Sequence, residues 1–131
     1  MPHVFEYVLV RVVPRQERGE FMNVGAIVYS AKQRFLRCAV DVDRDRLLAL
    51  DPHLDLDVLD DALLSMCQAC EGTGPMAQVS VGQRFRWLTA PRSTILQTSP
   101  AHTGLTGDPG AELDRLVSTQ VRLPPRVPDR T

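Results

Sequence analysis

Lysine is almost absent from this chain. Lys32 is the only one, against 14 arginines in 131 residues. Arg-favouring base composition explains such a bias more simply than guanidinium chemistry does. Net positive charge is also missing, because acidic residues bring the formal balance to −1. That argues against general nucleic-acid binding, which rests on clustered positive charge. Aromatic residues make up only 5% of the chain, so its core must be mainly aliphatic. No apolar run approaches the roughly 18 residues of a membrane span. The start, MPHVFEY, lacks the basic, apolar and small-residue succession of a secretory leader. Cysteines number three, an odd count that suits no disulfide framework and fits a cytoplasmic location. Phosphate-loop, dinucleotide-binding, calcium-loop and nucleophile-elbow patterns are all missing, so no cofactor or metal is expected.

What is present reads as one domain over residues 1–121. The tail at 122–131 is rich in Pro and Arg and is expected to be disordered or loosely docked. VFEYVLVRVV, residues 4–13, is a strand with apolar residues on both faces, so it belongs centrally in a sheet. FMNVGAIVYS, residues 21–30, is a second strand; Gly25 in it reads most simply as a small residue under a packed helix, or else as a bulge or a close backbone approach. RFLRCAVDV, residues 34–42, alternates as a third. Short links between these strands predict an antiparallel meander.

The period then changes. DRDRLLAL, residues 43–50, predicts a short helix ending before Asp51-Pro52. Residues 55–71 carry Leu56, Leu59, Leu63, Met66, Cys67 and Cys70 on one stripe, with Asp55 as N-cap. RFRWLT, residues 84–89, reads as a strand that puts Arg84 and Arg86 on one face and Trp87 in the core. ILQTS reads as its hairpin partner, and SPAHTGLTGDPG as a loop. Asp108 caps a last helix over 109–121. The expected fold is α+β: an antiparallel sheet of about five strands, meander plus later hairpin, with helices on one face.

Two segments carry a family resemblance. Pro14, Arg15, Glu17-Arg18, Glu20-Phe21 and Asn23-Val24-Gly25 form the first; RFRWLTAPRSTILQTSPAHTG is the second. Together they resemble the bacterial family named domain of unknown function 3037, over roughly residues 4–121. The resemblance implies little about activity. It does imply a partner, since members are often encoded beside a kinase-like protein similar to HipA.

Candidate site residues fall in the same two segments. Arg15, Arg18, Glu20 and Asn23 can hold a phosphate or carboxylate, or can simply close a hairpin by ion pairing. Arg86, Arg92, Ser93 and His102 offer guanidinium, hydroxyl and imidazole groups that can bind an anion or pack a polar loop. Cys67-Gln68-Ala69-Cys70 lies late in its helix, where the dipole disfavours a thiolate, so inert thiols are expected. Cys38 and His53 add no second paired motif for a metal.

With no complete catalytic set, the chain reads first as a noncatalytic interaction or regulatory module with a protein partner. The alternative is a small enzyme or binder for a phosphorylated or nucleic-acid ligand. That alternative needs the two segments to meet, with Glu20 or His102 as acid or base.

Overall fold

A computed structural model describes residues 1–90 and 95–124. The sheet is antiparallel and has five strands: β1 (His3–Val12), β2 (Met22–Ser30), β3 (Phe35–Val40), β4 (Leu96–Thr98) and β5 (His102–Thr106). Its order is β3-β2-β1-β4, and β5 also pairs with β1. The expected α+β class and meander are thus present. Central placement of β1 follows from its two apolar faces: Val8, Val10 and Val12 are fully buried on one side, Phe5 and Leu9 on the other.

The later strands depart from the sequence reading. β4 lies along Val10–Val12 and β5 along His3–Tyr7, end to end on the same side of β1. Between them, Ser99 Oγ accepts from the Leu9 N–H at 2.8 Å, and Ser99 N–H donates to Leu9 O at 2.8 Å. A hydroxyl thus takes the place of a carbonyl where the edge is interrupted. The segment 102–106, expected as loop, becomes a strand because β1 presents backbone partners to it.

The segment 84–89, expected as strand, is helical. Helix α3 (Val81–Thr89) begins at Ser80, whose hydroxyl accepts from the Gln83 N–H. Ser80-x-x-Gln83 has the sequence pattern of a capping box, with the Ser80 hydroxyl donating to Gln83 Oε1 at 3.1 Å, and Phe85 and Leu88 are the buried positions of the helix. In a helix, residues two apart point to opposite sides. Arg84 therefore turns inward to donate to Val79 O at 2.8 Å, while Arg86 turns outward. Trp87, expected in the core, is 48% exposed.

Helices α1 (Arg44–Leu50), α2 (Leu56–Glu71) and α3 cover one sheet face through Leu47, Leu59, Leu63, Met66, Phe85 and Leu88. Helix α4 (Pro109–Leu116), running into a π-helical turn at Val117–Val121, covers the other. There Leu113, Leu116, Val117 and Val121 pack on Phe5, Leu9, Ala26 and Val28. The helices therefore divide between the faces rather than sharing one. The reason lies in β1 and β2, which are apolar on both sides and need cover on both.

Of the readings of Gly25, the bulge and the close backbone approach are the ones found. Register between β1 and β2 slips beside it, from Val10↔Gly25 to Arg11↔Asn23. A Cβ on it would lie 2.6 Å from Ala39 O, so strand β3 approaches closer than any side chain permits. At the chain's end, Arg122 pairs with Asp41 at 2.6 Å, which ties the start of the tail to the loop after β3. Residues 125–131 lie outside the described residues. No helix among the described residues is long and apolar enough to cross a membrane.

Candidate functional site

A cleft of about 210 Å³ opens where β1 ends, lined by Pro14, Arg15, Arg18, Glu20, Leu50, Asp51, Pro52 and His53. Pro14 ends the strand, and Gln16–Arg18 form a single 3-10 turn closed by Gly19 in the left-handed region at φ 66°. That turn brings Arg18 back to Glu20, and the two side chains form an ion pair. The opposite wall is the C-terminal end of α1. There Asp51 N–H donates to Leu47 O at 2.9 Å, and Asp51 Oδ1 accepts from the His53 N–H at 2.9 Å.

Asp51 is nearly buried, and Arg15 Nε reaches its Oδ2 at 3.2 Å. The cleft therefore holds two arginines, each against a carboxylate, with an imidazole on the rim. Glu20 raises the Arg18 guanidinium pKa by hydrogen bond and charge. Of the expected cluster, Arg15, Arg18 and Glu20 come together here. Asp51, Pro52 and His53 join them from α1, a neighbourhood that only chain packing creates. In the sequence, Asp51-Pro52 signals no more than a helix stop.

The other candidates lie elsewhere. Asn23 sits on the α4 face and donates through Nδ2 to Gln120 O at 3.1 Å, pinning the π turn to β2. His102 stacks on Tyr7 with ring centroids 5.0 Å apart. It pairs in register with Tyr7, whereas Glu20 lies beyond the far end of β1. From Tyr7 to Val12 alone the strand runs roughly 16 Å at about 3.3 Å per residue. Glu20 and His102 therefore do not form an acid–base couple. Arg92 and Ser93 lie outside the described residues. The two segments do touch beside the cleft, where Gln97 Nε2 donates to Gln16 Oε1 at 3.1 Å and Val13 N–H to Ile95 O at 2.7 Å.

Arg86 marks a different place. Its guanidinium makes two parallel bonds to the Glu6 carboxylate, both 3.1 Å, and this partner raises its pKa. Beside the pair, on the face that α1–α3 cover elsewhere, the sheet is open. Val4 and Leu105 oppose one another across β1 and β5, and are 57% and 67% exposed. With Pro2, His3, Phe5, Glu6, Tyr29, Ala31 and Lys32 they line a shallow groove of about 430 Å³. Neither Val4 nor Leu105 stood out in the sequence. HTGLT has one large aliphatic residue and no alternation to read, and it becomes a strand only through β1.

No curated protein and no solved structure matches the chain. Residues 7–121, nearly the whole domain, match the family described as a protein of unknown function, DUF3037. That span includes both segments singled out in the sequence, the cleft at 14–53 and the strand at 102–106, and the chain therefore belongs to the DUF3037 family.

Proposed function

We propose that this protein is a noncatalytic module that docks a partner protein at the open end of its sheet. One observation carries the reading: the exposed Val4–Leu105 pair lies at a strand edge where β5 hydrogen-bonds to β1 alone among the described residues. Apolar surface rimmed by polar groups marks interaction sites, and an open edge strand accepts an added strand. The Arg86–Glu6 pair, Lys32 and His3 form such a rim. A partner strand along β5 would gain main-chain bonds from the edge and side-chain contacts from the groove. The first partner to test is the HipA-like kinase that the family resemblance implies, in the cytoplasm of a bacterium.

The test is affinity capture of that kinase by the purified chain, with Leu105→Arg as comparator. Leu105 is mostly exposed, so the substitution leaves the fold intact. Capture at micromolar concentration that Leu105→Arg reduces at least tenfold supports the reading. A wild-type chain that ignores the kinase rules out that partner. Capture indifferent to Leu105→Arg rules out the groove.

A second reading has its own observation, the convergence of Arg15, Arg18, Glu20 and His53 on one cleft. Two guanidinium groups suit a phosphorylated ligand, provided that ligand displaces a carboxylate from at least one of them.

A further inference from the structure

Most arginines of this chain already hold an acceptor. Among the described residues, six pair with carboxylates, and Arg84 donates to the Val79 and Cys70 carbonyls. Arg34 and Arg37 have no such acceptor, but both are exposed, where water serves. Arg11 and Arg46 are different. Both are half-buried, and neither guanidinium makes a hydrogen bond or ion pair with a described residue. Arg11 Nε is fully buried without a partner. Asp43, the carboxylate that caps α1, accepts from the Arg46 backbone N–H and not from its guanidinium. Polar groups that are taken from water without an acceptor are costly, so two such groups close together call for an explanation.

Both arginines flank one aromatic ring. Arg11 Cζ lies 4.1 Å from the centroid of Phe21, a cation–π contact that takes one face of the ring. Phe21 is nonetheless 48% exposed. Its exposed part lines a shallow cavity of about 370 Å³ with Arg46, Met22, Ala49 and Leu50. Leu50 also lines the cleft of Arg15 and Arg18, so the two cavities abut. The place is at the opposite end of β1 from the Val4–Leu105 groove, since Met22 pairs with Val12 while Leu105 pairs with Val4.

A flat apolar ring thus stands beside an uncommitted guanidinium in one cavity. The ring suits stacking by a base, and the guanidinium suits paired hydrogen bonds to a phosphate. A nucleotide carries both groups at once. We propose that this cavity binds a free nucleoside monophosphate, with the base on Phe21 and the phosphate on Arg46. Its volume is at the small end of the roughly 300–1,000 Å³ of ligand sites, which fits one nucleotide. The formal charge of −1 gives a nucleic-acid strand no general hold on the chain, so the ligand is the free nucleotide. This site is independent of partner docking at β5.

Titration of adenosine monophosphate into the full chain, followed by amide NMR, tests this. Shifts should saturate at residues 21, 22 and 46–50. Adenosine and inorganic phosphate alone should each bind about fivefold or more weakly, the least that a stacked base contributes. Phe21→Leu should weaken adenosine monophosphate by about fivefold or more. Arg46→Gln should weaken it by about tenfold or more, as for a lost charged hydrogen bond. Arg37→Gln removes the same charge from an exposed position and should change nothing. Phe21 is exposed, so its variant keeps the fold and decides the matter even where Arg46→Gln does not fold. Absence of saturable shifts at millimolar nucleotide would overturn the proposal. So would unchanged affinity in Phe21→Leu, phosphate binding as tightly as the nucleotide, an equal loss in Arg37→Gln, or tighter binding per nucleotide of a single-stranded oligoadenylate.

Discussion

Single residues decide what the cleft can bind. Arg15 and Arg18 are both neutralised in place, by Asp51 and by Glu20. An anion must therefore compete with a carboxylate already held at the same guanidinium. The two competitors are unequal. Asp51 is nearly buried and fixed by backbone bonds on both sides, while the Glu20 side chain that meets Arg18 is 41% exposed. Exposed pairs of that kind are weak and screened by salt. Glu20→Gln should therefore tighten binding of inorganic phosphate by up to about fivefold, in a salt-sensitive way. Arg18→Met added to it should remove the gain. Titration calorimetry at two salt concentrations measures this. A flat response in all three proteins would exclude the cleft as a phosphate site.

At the scale of elements, the informative one is α3. Its six-residue core RFRWLT has the Phe, Trp and Thr content of a strand. The helix is decided upstream, by Ser80-x-x-Gln83 and by Phe85 and Leu88, which fall on one side only at helical spacing. This signal was legible in the sequence, and it outweighs composition because a cap satisfies backbone donors that would otherwise stay unpaired. Ser80→Ala should cost about 1 kcal/mol of stability, within the usual 0.5–2 for a lost cap. Urea denaturation should show it as a lower midpoint at unchanged slope. No change would mean that α3 is held by Phe85 and Leu88 alone. β5 is the reverse case. Nothing local predicts it, and its strand form rests on five register partners along β1.

At the scale of the whole molecule, two apolar faces share a single sheet. The α4 face depends on one helix and the π turn that follows it, which bury Phe5, Leu9, Ala26 and Val28. Phe, Leu and Val side chains such as these contribute about 1.5–3 kcal/mol each when fully buried, a large part of the 5–15 typical of a domain. Truncation before Asp108 should therefore expose the face and leave a chain that binds the dye ANS and has lost near-ultraviolet circular dichroism. A truncated chain that still unfolds cooperatively would show that the α1–α3 face suffices. The sequence by itself determined the strand meander, the helix α1, the capped helices α2 and α4 and the family, because these follow from local period, capping and residue order. Only the tertiary structure decided that α4 takes the opposite face, that Arg15 meets Asp51 and that His102 stands far from Glu20. Each of those depends on which elements stack and in what register, and contacts between residues distant in sequence are set by packing the whole chain at once.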